Sequence, residues 1–122
     1  MSGEELKGYR RLIVWERAME LVVEVYRLTR SLPKEELYAL TDQIRRSVVS
    51  IPSNISEGNG RGTNKEYVRF LSIARGSQYE LETQLLICVR LGYLTEDDID
   101  KAMSLCDEIG RMLNALIARL EH

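Results

Sequence analysis

Apolar residues recur every three or four positions through most of the chain, in four segments separated by short polar or glycine-containing stretches. This spacing places the apolar side chains on one face of a helix, so each segment is predicted to be an amphipathic α-helix. Four such helices with short connections predict an all-α fold, an antiparallel up-down four-helix bundle. The predicted helices span residues 12–31, 34–57, 63–91 and 96–120.

The first helix has a wide apolar face made of two adjacent stripes. A face of this width is consistent with burial inside the bundle and with contact to another subunit, and the pattern leaves both open. The inner stripe is Val14, Ala18, Leu21, Val25, Leu28 and Leu32, and the second stripe is Trp15, Met19, Val22 and Tyr26.

The second helix contains the most distinctive stretch of the chain, residues 42–61. Pro52 lies inside its apolar pattern, where a proline removes one backbone hydrogen bond and favours a kink. An interruption is predicted near the start of this helix, with Thr41 or Asp42 capping the restart. Glycines from Gly58 onward predict the end of the helix and a loop.

The third and fourth helices both begin with capping patterns. Thr63 and Glu66 are spaced as a capping box, and Thr95 precedes a first turn rich in acidic residues. Within the third helix, Gly76 costs about 1 kcal/mol relative to alanine, which would be explained by a close helix crossing at Gly76 and Ser77.

Polar side chains cluster around the end of the second helix. Asn54 and Glu57 are three residues apart on that helix, and the arginine predicted to face them is Arg45, Arg69 or Arg75. With Arg75 as that arginine, we interpret the three residues as a structural polar network that fixes the corner between the two helices. A ligand or nucleic-acid site is the alternative interpretation.

Residues suited to catalysis are sparse. The single histidine, His122, falls in an ending, residues 120–122, that resembles the remnant of a purification tag, so Ser–His and Cys–His pairs are not expected. Cys88 and Cys106 lie on apolar helix faces and are predicted to be reduced thiols in the core. We therefore expect no enzymatic activity, no cofactor and no metal site.

The length of 122 residues predicts one domain, residues 1–122, of which the polar residues 1–11 are expected to be loosely ordered. No apolar run approaches the roughly 20 residues that a membrane span requires, and the first residues lack the apolar core of a signal peptide. The expected location is the cytoplasm, without membrane association.

Charge is unevenly distributed along a chain whose formal net charge is −2. Between residues 61 and 75, arginine and lysine outnumber the single acid Glu66, whereas acids outnumber Lys101 between residues 96 and 108. Such asymmetry can steer a nucleic acid to one end of the molecule. It can equally match basic and acidic surfaces of neighbouring subunits.

The distinctive stretch and several shorter motifs resemble the 23S rRNA-intervening-sequence protein family, which consists of small bacterial four-helix-bundle proteins. The matching positions fall between residues 12 and 95 and so cover most of the chain. They are Val14-Trp15 with Ala18, residues 38–58, Gly60-Arg61, Phe70-Leu71, residues 74–77 and residues 80–85.

This resemblance implies an antiparallel four-helix bundle that assembles as a ring-like homopentamer, and it implies no known reaction. The accessory variability determinant of diversity-generating retroelements is similar, which implies a pentameric barrel that binds nucleic acid and a reverse transcriptase. The positions that match such a nucleic-acid-binding surface are Arg45, Arg46, Arg61, Lys65 and Arg69.

We therefore predict a non-enzymatic homo-oligomeric scaffold, a pentamer by the resemblance, that binds rRNA or another nucleic acid. Its expected partners are RNA or a reverse transcriptase. The alternative is a protein-interaction adaptor, which would use the wide apolar face of the first helix or the acidic start of the fourth.

Overall fold

A computed structural model describes residues 8–121, which form four α-helices and two short 3-10 turns. Each helix packs against its neighbours in sequence, and the first packs against the last to close the bundle. The predicted antiparallel up-down four-helix bundle is therefore confirmed. The helices are α1 (Ile13–Thr29), α2 (Leu40–Asn59), α3 (Asn64–Arg90) and α4 (Glu96–Leu120).

The core consists of the predicted apolar stripes. The inner stripe of α1 is buried, while its second stripe, which faces α2, is only partly covered. Cys88 and Cys106 are free thiols inside the core, as predicted. The largest fully buried aliphatic side chains are Leu21, Ile44, Ile51, Ile55, Leu71, Leu81, Leu85, Ile109 and Leu113.

The first described residues, which belong to the segment expected to be loose, pack on the bundle through Tyr9. Gly8–Arg11 form a 3-10 turn, closed by a hydrogen bond from the Leu12 amide to the Tyr9 carbonyl oxygen at 3.1 Å. The Tyr9 ring packs edge-on against Trp15, with 5.4 Å between ring centroids. An aromatic anchor therefore holds this segment on the bundle. The rest of the prediction, for residues 1–7, and the His122 part of the tag-like ending lie outside the described residues.

The interruption predicted near Thr41 is present, but the helix restarts at Leu40, so neither Thr41 nor Asp42 caps it. Lys34–Glu36 form a 3-10 turn, and α2 starts at Leu40 after Ala39, which provides no side-chain cap. Thr41 and Asp42 are therefore inside the helix, and the Asp42 carboxylate accepts a hydrogen bond from Arg46 at 2.9 Å. The helix then continues through buried Pro52 to Asn59.

The starts of α3 and α4 differ in how they are capped. The Thr63 hydroxyl accepts a hydrogen bond from the Glu66 amide at 3.2 Å, but the Glu66 carboxylate accepts from Arg69, so the predicted box is half formed. At α4, Thr95 and Asp98 make both hydrogen bonds of a capping box, at 2.8 and 3.1 Å. These bonds lower the pKa of the Asp98 carboxyl.

Gly76 does not mark a close helix crossing, contrary to the prediction. It is exposed, and a Cβ atom there would meet nothing within 4 Å. The neighbouring Ser77 is turned about 100° around the helix and does face α2, where its hydroxyl lies 2.8 Å from that of Ser50. The close approaches occur instead at Gly58, against Phe70, and at Gly110, against Gln78.

Candidate nucleic-acid interface

The five residues predicted to bind nucleic acid fall into two groups. Arg45 and Arg46 lie near the start of α2, whereas Arg61, Lys65 and Arg69 lie at the corner where α2 ends and α3 begins. Arg45 and Arg61 are sixteen positions apart, which corresponds to roughly 20–25 Å along a helix axis. The residues predicted to bind nucleic acid therefore form two separate groups, one near the start of α2 and one at the corner between α2 and α3.

At the corner, two guanidinium groups converge on one aromatic ring. The guanidinium carbons of Arg61 and Arg69 lie 4.8 and 5.3 Å from the centroid of the Phe70 ring, so both side chains make cation–π contacts with this ring. Lys65 is exposed one helical turn before Arg69. This group of Arg61, Lys65, Arg69 and Phe70 is called the corner cluster below.

Both arginines of the corner cluster also pair with an acid. Arg61 donates to Glu57 at 2.9 Å, and Arg69 donates to Glu66 at 3.3 Å. Exposed ion pairs of this kind contribute only about 0–1 kcal/mol. A phosphate could therefore replace either carboxylate as the partner of the guanidinium group at little cost to the fold.

At the start of α2, Arg45 is held without an acidic partner. Its guanidinium carbon lies 4.8 Å from the centroid of the Tyr26 ring, and its Nε donates to the Thr29 hydroxyl at 3.0 Å. Among residues 8–121, no carboxylate forms an ion pair with Arg45, whereas Arg46 pairs with Asp42 at 2.9 Å. Arg45 is thus an oriented cation that forms no ion pair within residues 8–121.

The predicted polar network of Asn54, Glu57 and Arg75 does not form. Asn54 donates to the carbonyl and hydroxyl oxygens of Ser50 at 2.8 and 2.9 Å, while Glu57 accepts from Arg61. Arg75 donates to Asn114 of α4 at 2.8 Å. The three residues point to different neighbours because Arg75 lies on the side of α3 that faces α4.

A polar seam that was not predicted from the sequence joins α2 and α3. The Ser47 hydroxyl donates to the Gln84 side-chain oxygen at 2.7 Å, and both residues are buried. One turn along, the hydroxyls of Ser50 and Ser77 lie 2.8 Å apart. These contacts satisfy polar groups inside the bundle, so they belong to the scaffold.

An apolar stripe on the outer side of α3 was also missed. Its side chains are between 41% and 55% exposed, although the helix is otherwise well packed. The signal was present in the sequence, because these residues lie off the apolar seam that predicted the buried face. This α3 outer stripe consists of Ile73, Tyr79, Leu86, Ile87 and Leu91.

The described residues offer little for catalysis. Burial raises the pKa of the Cys106 thiol to about 12 and raises that of Cys88, so neither is a thiolate near neutral pH. Within residues 8–121, no three His, Cys, Asp or Glu side chains are grouped to hold a metal ion. None of the helices in that range is long and apolar enough to cross a membrane.

Four antiparallel helices that carry arginine clusters on the surface define a small helical bundle protein. The sequence matches the profile of the 23S rRNA-intervening sequence protein family over residues 10–115, and the chain belongs to that family. A comparison with curated proteins finds no match.

A solved structure supports the same fold. It is the crystal structure of a protein of unknown function from the S23 ribosomal protein family of Bacteroides thetaiotaomicron, with a TM-score of 0.79 to this chain. The two sequences are 25% identical, and the alignment covers 86% of this chain and 98% of the other. Neither description names an enzymatic reaction.

Proposed function

We propose that this protein is a non-enzymatic, homo-oligomeric scaffold that binds RNA. The observation that carries the proposal is the corner cluster, in which Arg61 and Arg69 converge on Phe70 beside exposed Lys65. Guanidinium groups suit phosphate, because their planar donors can bind two oxygens at once. Membership of the 23S rRNA-intervening sequence protein family makes ribosomal RNA the first RNA to test.

The homo-oligomer is proposed from the α3 outer stripe. Five large apolar or aromatic side chains along one helix form a patch that a second copy of the chain could cover. Family resemblance suggests a ring of five subunits in the cytoplasm, and a reverse transcriptase as a protein partner. A ring would multiply the corner cluster, so that weak phosphate contacts on each subunit add to a stronger total affinity.

RNA binding through the corner cluster should depend steeply on salt. Three phosphate contacts per subunit predict an affinity at least roughly 20-fold weaker at 200 mM than at 50 mM salt. Arg61→Glu with Arg69→Glu should weaken binding at every salt concentration and reduce the slope of log affinity against log salt by about two. Fluorescence anisotropy of a labelled ribosomal RNA fragment measures both quantities.

The matched control is Lys101→Glu with Arg111→Glu, which changes the total charge equally on exposed positions of α4. We expect this variant to bind RNA nearly as the native protein does. If this control loses as much RNA affinity as the variant with Arg61→Glu and Arg69→Glu, the affinity depends on net charge and not on the corner cluster. If the native protein does not bind RNA at 50 mM salt, the proposed function is wrong.

A protein-interaction adaptor is the second candidate, and the α3 outer stripe favours it too. The same apolar side chains could bind a different protein instead of a second copy. The mass of the purified protein distinguishes the two proposals. A stable monomer that does not bind RNA would favour the adaptor, whereas an oligomer that binds RNA would favour the scaffold.

A further inference from the structure

Three adjoining depressions lie along α2, two of them against α1 and one against the Gly8–Arg11 turn, and together they are called the α1–α2 groove below. Neighbouring depressions share lining residues, Val49 at one junction and Ser53 and Ser56 at the other. The second apolar stripe of α1 forms one wall, and the exposed side of α2 forms the other. The groove therefore runs along most of α2 and connects the two groups of arginines.

Aromatic rings follow one another along this groove. Tyr26 lies at one end, Trp15 in the middle and Tyr9 at the other end, and all three are half-buried. The guanidinium carbon of Arg10 lies 5.8 Å from the centroid of the Tyr9 ring. Partly exposed rings in a groove are the usual platforms on which the bases of a single strand stack.

Cations stand at both ends of the groove. Arg45 and Arg46 line the end beside Tyr26, and Arg61 lines the opposite end. Asp42 and Glu57, which pair with Arg46 and Arg61, are the acids among the lining residues. Arg45 forms no ion pair among the described residues, and the two exposed pairs can exchange their partners.

We propose that the α1–α2 groove binds a single-stranded segment of RNA, with bases against Trp15 and phosphates at Arg45 and Arg61. This inference rests on the proposed function and specifies the form of RNA that is bound. The groove is long enough for at least about four nucleotides, the lower end of site sizes in single-strand-binding folds. An RNA duplex would not fit, because its bases are stacked on one another and cannot reach the rings.

A second copy of the chain is the other occupant to consider. The groove has guanidinium groups at its ends and the hydroxyls of Ser53 and Ser56 along α2. A subunit contact would have to satisfy all these groups after removing them from water, whereas RNA phosphates and sugars would satisfy them directly. The α3 outer stripe, with five large apolar or aromatic side chains that are 41% to 55% exposed, suits a subunit contact better.

Trp15 is the only tryptophan in the chain, so its fluorescence reports on the groove directly. A ten-nucleotide single-stranded RNA, added to the full-length protein at 50 mM salt, should quench the Trp15 emission in a saturable way. The same sequence annealed to its complement should leave the emission nearly unchanged. Fluorescence anisotropy of a labelled copy of the single strand gives the affinity independently, and the two midpoints should agree.

Two variants test the ends and the middle of the groove. Arg45→Gln should weaken single-strand binding roughly tenfold through the loss of one charged contact, while Arg111→Gln on α4 should leave it unchanged. Trp15→Leu should weaken it between about 5- and 150-fold, as the loss of one stacked base does. Tyr79→Leu, which removes an aromatic ring from α3, is the control, and thermal melting verifies that each variant folds.

Each outcome has one meaning. Quenching by the single strand alone, together with losses in both groove variants, supports the inference. RNA binding that neither quenches Trp15 nor responds to Arg45→Gln overturns the inference and leaves the proposed function intact. A Trp15→Leu protein that loses oligomer mass but keeps its RNA affinity also overturns it, because the groove would then be a subunit contact. Failure of any RNA to bind overturns both.

Discussion

Replacing Gly58 by alanine should lower the free energy of unfolding by about 3 kcal/mol, the upper end of the range for overpacked core positions. A Cβ atom at this position would lie 2.7 Å from the Cβ atom of Phe70 and 3.3 Å from the Tyr67 carbonyl oxygen. Neither atom is the free end of a flexible side chain. The clash would therefore push α3 away from the end of α2, where the corner cluster is built.

Thermal unfolding followed by circular dichroism measures this effect, which should appear as a decrease in Tm of roughly 10 °C. Gly76→Ala is the matched control, because it makes the same substitution at an exposed position of α3 with open space around it. It should raise the free energy of unfolding by about 0.5–1 kcal/mol through helix propensity. Equal destabilisation by the two substitutions would contradict the packing described at Gly58.

Charging the α3 outer stripe should dissociate the proposed oligomer. Leu86→Glu with Ile87→Glu places two carboxylates where the apolar side chains would be buried between subunits, and an unpaired buried charge costs several kcal/mol. The mass by light scattering should then fall from a multiple of 14.1 kDa to that of one chain. Far-UV circular dichroism should remain that of a helical bundle, because both positions are exposed on the monomer.

The control for this variant is Ile13→Glu with Val23→Glu. These two positions on α1 are 61% and 72% exposed, so the control adds the same charge to apolar residues outside the stripe. Its mass should equal that of the native protein. If the control dissociates and the stripe variant does not, α1 carries the subunit contact instead.

The fold could be predicted from the sequence because the apolar period of three to four residues determines which face of each helix is buried. The ends of α3 and α4 agree with the prediction within one residue. At the start of α2 the interruption predicted near Thr41 is present, but the pattern did not show that it lies before Leu40, where a 3-10 turn and Ala39 precede the helix.

The site was harder to predict because its geometry depends on how the helices are rotated against one another. The sequence indicated the arginines but not that Arg61 and Arg69 share Phe70, or that Tyr26 holds Arg45. The prediction at Gly76 was wrong for a reason visible in the sequence. Positions 74 and 78 form the buried seam, so residue 76 lies on the opposite face.

Size-exclusion chromatography with light scattering would show whether one assembly of this chain holds RNA. The protein is run alone and with a ten-nucleotide single-stranded RNA at 50 mM salt, and the mass of each peak is recorded. We predict a protein mass that is a multiple of 14.1 kDa, five-fold for the proposed ring, with the RNA in the same peak. A protein mass equal to one chain, with the RNA eluting in a separate peak, would show that the protein is not an RNA-binding oligomer.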